Sequence, residues 1–109
     1  MGWEKNLLDN LYTIIKQEPE EVIVKLSDEH HPVFKAHFPN NPILPAFIQI
    51  DIIAKIFNDD IVNIKRSKFI SHILPNDIIL FDIKTNHKQR KIKIFKNETK
   101  VSEIDYESK

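Results

Sequence analysis

A histidine and an aspartate flank a proline-rich loop and the start of an apolar segment in the stretch AHFPNNPILPAFIQID, residues 36–51. Histidine suits the role of a general base at neutral pH, because its ordinary pKa lies at about 6.5. An aspartate acts as an acid only where its surroundings raise its pKa, which a mostly apolar segment does by desolvation. The pair therefore indicates acid–base chemistry, with His37 and Asp51 as the candidate groups.

Each of these residues also has a purely structural interpretation when it is taken singly. His37 could be a hydrogen-bonded loop residue, and Asp51 could pair with Lys55 one helical turn later. The three prolines between them could simply stiffen the loop. The chemical interpretation depends on the combination of residue types and on its spacing.

The element that must position Asp51 is a helix. Proline suits the first position of a helix, so the sequence predicts a central helix over residues 45–58. This segment is apolar on nearly every side, which is typical of a buried helix. Its polar exceptions share one narrow stripe, formed by Asp51, Lys55 and Asn58, while Gln49 projects elsewhere.

Strands are predicted on both sides of this helix. Residues 3–17 fit either a helical stripe or a hairpin, and we expect a short helical turn that leads into a strand near residue 11. A strand over 22–26 and a long proline-stiffened loop over 27–45 follow. Further strands are predicted after the helix, at residues 61–74, 77–85, 91–96 and, as an edge strand, 101–106. We therefore predict an α+β domain whose sheet wraps one helix, with a second copy as the simplest cover for the helix's remaining side.

The composition bounds the class of the protein. A length of 109 residues with 41% hydrophobic and 29% charged residues predicts one globular domain over 1–109, with a variable leader over 1–10. The absence of cysteine excludes disulfides and thiolate metal sites and favours the cytoplasm. No apolar run approaches the roughly 20 residues that cross a bilayer. The other histidines lack metal-like spacing, and no cofactor is expected.

Charge is unevenly distributed along a chain with 16 basic and 16 acidic residues. Residues 1–60 carry five basic and ten acidic side chains, whereas residues 61–100 carry ten basic and three acidic ones. The second half could present a basic face to an acidic partner. Its basic residues alternate with apolar ones, however, and this pattern is also typical of strands whose outer face is solvated. No stacking motif or recognition helix accompanies the basic residues, so nucleic acid is not an expected partner.

The stretch from His37 to Asp51 resembles the signature of the 3-hydroxyacyl-acyl-carrier-protein dehydratases of the FabA/FabZ type. That signature reads H-F-P-G-x-P-x-x-P-G, then four residues and a catalytic Glu or Asp. A second stretch, KFISHILPND at 68–77, resembles the family's K-F, five residues, P-G-D element. Both matches are free of gaps, and with the strand order they cover roughly residues 20–95. The resemblance implies the hot-dog fold, a sheet curled around a long helix.

The sequence departs from the family at its glycines and in one connection. Family glycines are replaced at Ala36, Asn40, Ala46 and Asn76. Asparagine is the commonest residue besides glycine at positive φ, so we expect the two asparagines to preserve turn geometry. The connection from the helix to the KF strand is also short, which marks a short, divergent member.

The resemblance implies dehydration of 3-hydroxyacyl thioesters on acyl carrier protein to trans-2-enoyl thioesters, in fatty-acid or related acyl-chain synthesis. His37 would be the base, Asp51 the acid for the leaving hydroxyl, and the backbone N–H of Ala46 the donor to the carbonyl oxygen. The implied substrate-binding residues are Phe38, Pro39, Ile43, Leu44, Pro45, Phe47 and Ile48. The implied docking residues for the carrier protein are Arg66 and Lys68.

The spacing of Ala46 and Asp51 bears on assembly. They are five residues apart, about 7.5 Å in rise and more than one turn around the helix. One helix therefore does not aim Asp51 at a carbonyl held over its own N-terminus, and the resemblance implies a homodimer with composite sites. Two alternatives remain open: a hot-dog thioesterase, and a non-catalytic acyl-binding relative, which Ala46 and the short connection would suit.

Overall fold

A six-stranded antiparallel sheet is the frame of the computed structural model, which describes residues 7–36 and 40–109. The elements in chain order are β1 (Tyr12–Glu18), β2 (Glu21–Leu26), α1 (Pro32–Ala36), α2 (Ala46–Phe57), β3 (Ile61–Phe69), β4 (Ile78–Asn86), β5 (Gln89–Lys96) and β6 (Thr99–Ser108). The strands lie in the order β1-β2-β4-β5-β6-β3, so β1 and β3 form the two edges. Within the described ranges, neither helix is long and apolar enough to cross a membrane.

Helix α2 packs its apolar side into the core that the sheet encloses. Ile48, Ile52 and Ile53 are fully buried on the helix and belong to one cluster with the inward-facing residues of the strands. The strands predicted at 77–85 and 91–96 are confirmed as β4 and β5, whose buried residues alternate with less buried ones: Ile79, Phe81, Ile83, Ile92 and Ile94. These antiparallel strands and the buried helix confirm the α+β prediction.

The ends of α2 follow from Pro45 and Asn58. Pro45 is extended, with φ −61° and ψ 148°, and its carbonyl accepts the N–H groups of Ile48 and Gln49. The helix therefore begins one residue later than predicted. Asn58 takes a left-handed conformation at φ 51°, and its N–H returns to the last turn of the helix, where asparagine is one of the few residues that tolerate this geometry.

The loop predicted over 27–45 contains a short helix, α1, so that part of the prediction was wrong. Val33 and Phe34 of α1 are buried in the core. The N-terminus of α1 is capped by His31, whose Nδ1 accepts the N–H of Val33 at 3.0 Å. Its Nε2 then donates to the carbonyl of Asp9 at 2.7 Å. His31 is therefore a structural residue that joins the N-terminal turn to α1.

Two strand predictions also need correction. The strand from Ile61 ends at Phe69 rather than at residue 74, because the N–H groups of Ile70 and Ser71 both turn to the carbonyl of Val101 and the regular ladder stops there. The last strand, β6, is not an edge. It lies between β5 and β3, since β3 pairs with β6 instead of with a neighbour in sequence.

A polar cluster fixes the C-terminal end of α2 to the sheet. The carboxylate of Asp59 accepts Nε and Nη2 of Arg90 at 2.5 and 3.1 Å, as well as the hydroxyl of Tyr106. The guanidinium also lies 4.9 Å from the ring centre of Phe57. A fork of this kind is directional as well as strong, so it holds the helix at a set position above β5 and β6. Burial and the bond to Asp59 raise the pKa of Tyr106, which stays a hydrogen-bond donor at neutral pH.

Candidate active site

An open and mainly apolar cleft of about 670 Å³ lies against the N-terminus of α2. Its walls come from the loop before the helix, from the first turns of the helix and from the end of β3. The residues that line it are Ile43, Leu44, Pro45, Ala46, Phe47, Gln49, Phe69, Ile70, Ser71 and His72. A cleft of this size and lining suits an elongated apolar ligand.

The cleft forms because the two motif stretches of the sequence lie side by side. The N–H of Leu44, just before α2, donates to the carbonyl of Ile73 at 2.8 Å. The turn that follows is held by Asp77, whose carboxylate accepts the N–H of Leu74 at 2.7 Å and Nζ of Lys96 at 2.8 Å. At the centre of this turn Asn76 has φ 67°, which confirms that asparagine keeps the turn geometry there.

The first turn of α2 presents positive potential to the cleft. Ala46 is exposed and lines the cleft, and its N–H is one of the helix's first amides, which find no partner inside the helix. The helix dipole adds roughly half a positive charge at this end. An oxygen that gains negative charge during a reaction is stabilised in such a place.

Asp51 lies outside the cleft of its own chain. It sits on the exposed stripe of α2, and partial burial raises the pKa of its carboxyl. Lys55, the partner suggested by helical spacing, instead has its Nζ 3.9 Å from the carboxylate of Asp9. The Asp51 carboxyl therefore lies on the outward side of the helix, and desolvation raises its pKa above the ordinary value.

The predicted base and the predicted substrate-binding residues fall into three groups. Ile43, Leu44, Pro45 and Phe47 line the cleft. Ile48 is fully buried in the core and does not line it. The predicted base His37 and its neighbours Phe38 and Pro39 lie outside the described residues, between Ala36 and Asn40.

Several residues of the cleft were not predicted. Phe69, Ile70 and Ser71 belong to the KF stretch, but the sequence interpretation gave them no role. His72 received no role beyond its lack of metal-like spacing, and the structure places it on the cleft wall while leaving it exposed. Gln49 was noted only as projecting away from the polar stripe. These residues could have been found from the two motif stretches. If the two stretches lie side by side, the residues near their ends line the same cleft.

Large apolar residues are exposed both at the cleft and along the edge strand β3, and together they are called the apolar surface. Its residues are large and apolar, and between 39% and 58% of each is exposed: Phe47, Val62, Ile64, Phe69 and Ile70. As an edge, β3 also has a side on which none of the described strands pairs with it. An exposed apolar edge strand is a template for pairing with another chain.

The predicted docking residues Arg66 and Lys68 lie on β3, opposite Asp105 and Glu103 of β6. They belong to a charged face of the sheet that contains both basic and acidic side chains. Its members around one shallow depression are Arg66, Asp82, Lys84, Lys91, Lys93, Glu103 and Asp105. Lys100 and the basic side chains of this face lower the pKa of Glu103, which is therefore ionised at neutral pH. The charged face is close to neutral overall.

Comparison with known proteins identifies the family of the chain. The family model described as "ApeI-like: ApeI dehydratase" matches residues 14–105. The 3-hydroxyacyl-[acyl-carrier-protein] dehydratase FabZ of Ehrlichia ruminantium (strain Gardel) is 24% identical over 99 residues, which cover 77% of this chain and 68% of that protein. The corresponding enzyme of Xanthomonas euvesicatoria pv. vesicatoria (strain 85-10) is 23% identical over 87 residues, covering 66% of this chain and 57% of that protein.

Solved structures show the same fold. The dehydratase heterocomplex ApeI:P from Xenorhabdus doucetiae has a chain that superposes with a TM-score of 0.73 at 21% identity, covering 89% of this chain and 96% of that one. Mouse thioesterase superfamily member 2 superposes with a TM-score of 0.62 at 12% identity, covering 94% and 84%. The fold is therefore the hot-dog fold, which dehydratases and thioesterases both use.

Proposed function

The chain belongs to the ApeI-like dehydratase family, and we propose that it dehydrates 3-hydroxyacyl thioesters carried on acyl carrier protein to trans-2-enoyl thioesters. The observation that carries this proposal is the cleft, because it joins the two motif stretches and runs against the N-terminus of α2. An acyl chain fits its apolar walls, and the thioester carbonyl fits the positive end of the helix.

The proposed reaction divides the chemistry among three groups. His37 removes a proton from C2 of the acyl chain, while the Ala46 N–H stabilises the negative charge that develops on the carbonyl oxygen. The C2 electron pair forms the double bond to C3 as the C3–O bond breaks. Protonated Asp51 gives its proton to the leaving oxygen, which departs as water. Partial burial already raises the pKa of Asp51, and burial by a second chain would raise it further.

The acid of each proposed site comes from a second copy of the chain. Asp51 faces away from the cleft of its own chain, as the helical geometry requires. Pairing through the edge strand β3 would cover the apolar surface that includes Val62 and Ile64, and it would place the exposed stripe of each α2 near the other cleft. We therefore propose a homodimer in which His37 and Ala46 of one copy act with Asp51 of the other.

A product assay tests the proposed reaction. We expect the purified protein to convert a 3-hydroxyacyl thioester into the conjugated enoyl thioester, seen by its ultraviolet absorbance, without release of free thiol. Release of thiol would instead identify a thioesterase. Binding without any product would identify a non-catalytic acyl-binding protein, and both of these results would contradict the proposal.

Docking of the carrier protein is proposed at Arg66 and Lys68, whose side chains border the charged face at its β3 edge. Asp105 and Glu103 stand opposite them and reduce the local potential, so we expect docking to act mainly on association rates. Contacts of this kind are screened over about 8 Å at physiological salt. Carrier-linked substrate should therefore be turned over several-fold more slowly at high salt or after R66E/K68E, while a pantetheine-linked substrate should be unaffected.

The charge reversal at Arg66 and Lys68 has a matched control on β4 and β5. Lys84 and Lys91 face each other across β4 and β5 on the same side of the sheet, and reversing this pair changes net charge by the same amount. Equal slowing by both pairs would mean that the carrier senses only the overall charge, and no slowing by either would mean that the charged face is merely solvated. Both results would contradict docking at Arg66 and Lys68.

A further inference from the structure

Two polar residues are buried within the described part of the chain, and they bind each other. Gln49 of α2 is 4% exposed and Ser102 of β6 is fully buried, and Ser102 Oγ donates to Gln49 Oε1 at 2.7 Å. Burying polar groups costs free energy unless they are paired. Gln49 also lines the cleft, one helical turn beyond Ala46.

The carbonyl of Leu44 determines which way the Gln49 amide points. Gln49 Nε2 lies 3.5 Å from Leu44 O, and because a carbonyl oxygen can only accept, the nitrogen of the amide must face it. The opposite flip would set two carbonyl oxygens against each other. Ser102 therefore donates to Oε1, and the amide orientation is fixed from both sides.

This orientation leaves one hydrogen-bond donor for the cleft. The amide nitrogen carries two N–H groups, and Leu44 O is the acceptor for one of them among the described residues, at the long limit of a hydrogen bond. Gln49 is 4% exposed and is one of the residues that line the cleft, so its second N–H is placed beside the cleft. The walls beside it, formed by Ile43, Leu44 and Phe47, are apolar.

We propose that Gln49 recognises the 3-hydroxyl group of the acyl chain, and that Ser102 positions its amide to do so. The inference rests on the proposed dehydration, and it adds a residue that distinguishes hydroxylated from unsubstituted chains. Positions 46 and 49 lie on one face of α2, separated by a rise of about 4.5 Å. An acyl chain with its carbonyl oxygen at the Ala46 N–H has its C3 oxygen two carbon–carbon bonds deeper, within reach of the Gln49 amide.

The physical basis of this selectivity is the second N–H of the Gln49 amide, for which the described residues provide no acceptor. A 3-hydroxyl oxygen accepts it, whereas an unsubstituted chain covers it with methylene groups and leaves it without a partner. A buried donor that loses its partner carries the full cost of desolvation, which is why sites built to bind a hydroxyl reject ligands that lack one.

Binding of two probes tests this role. We would measure dissociation constants of 3-hydroxyoctanoyl-pantetheine and octanoyl-pantetheine by calorimetry in an Asp51→Ala background, in which the hydroxylated probe is not consumed and no side chain at position 51 can bind the hydroxyl group. We expect this protein to prefer the hydroxylated probe about tenfold. Adding Gln49→Met should bring the two constants together, and adding Ser102→Ala should reduce the preference. Ile53→Met, a buried change on α2 away from the cleft lining, should preserve it.

The outcomes separate this inference from the proposed function. A preference that survives both Gln49→Met and Ser102→Ala would overturn the role of Gln49. So would the absence of any preference in a protein whose wild type dehydrates the substrate, and in that case the proposed function would stand. If the folded protein binds neither probe, both proposals fall. Should Gln49→Met not fold, Ser102→Ala alone decides, because it leaves the Gln49 side chain in place.

Discussion

Replacement of His37 by alanine is expected to reduce dehydration by about a thousandfold or more, since general bases typically contribute 10²–10⁴-fold and this one initiates the reaction. The fold and the proposed dimer should be unchanged, because the role proposed for His37 is chemical. The measurement is the rate of enoyl thioester formation, with the thermal unfolding temperature and the mass in solution determined on the same sample.

His30 provides a matched control for this variant. It is exposed in the same region between β2 and α2, and its ring nitrogen lies 3.3 Å from the carboxylate of Asp28. His30→Ala should keep full turnover. Undiminished turnover of His37→Ala, or a loss of folded protein in that variant, would contradict the assignment of His37 as the base.

Much of this fold could be predicted from local pattern. The alternation of Ile79, Phe81 and Ile83 determines a strand face, and Asn76 keeps the turn geometry because asparagine tolerates positive φ. Such features depend on a few neighbouring residues. They could therefore be stated before any tertiary contact was known.

The features that were missed depend on contacts between distant segments. Helix α1 begins where His31 caps it, but that ring is oriented by the carbonyl of Asp9, 22 residues earlier. Likewise β6 became an interior strand only because β3 crosses the sheet to pair with it. Neither contact can be predicted from the helix or strand propensities of single residues or from the hydrophobic periodicity of one segment.

In the candidate site, too, the features set by neighbouring residues were predicted, and those set by distant contacts were missed. The sequence predicted the helix start to within one residue, and the adjacent residues Ile43, Leu44, Pro45 and Phe47 line the cleft. It did not identify Gln49 as a cleft residue, because its orientation depends on Ser102, 53 residues later. Nor did it indicate that His72 reaches the same cleft.

Mixing two inactive variants is expected to restore activity if the acid acts across the dimer. In a mixed dimer of His37→Ala and Asp51→Asn chains, one site has both substitutions and the other has neither. After full exchange of equal amounts, half of the dimers are mixed and each has one intact site of two. The mixture should therefore regain about a quarter of wild-type turnover, as the symmetry of a two-fold dimer dictates.

The exchange itself needs an independent measure, such as energy transfer between chains labelled with different fluorophores. A third mixture supplies the control: His37→Ala chains combined with chains that carry both substitutions cannot form an intact site and should stay inactive. If exchange is complete and the first mixture also stays inactive, His37 and Asp51 do not act as a pair across the dimer. In that case the outward position of Asp51 on α2 would have to serve another purpose than donating the proton to the leaving hydroxyl.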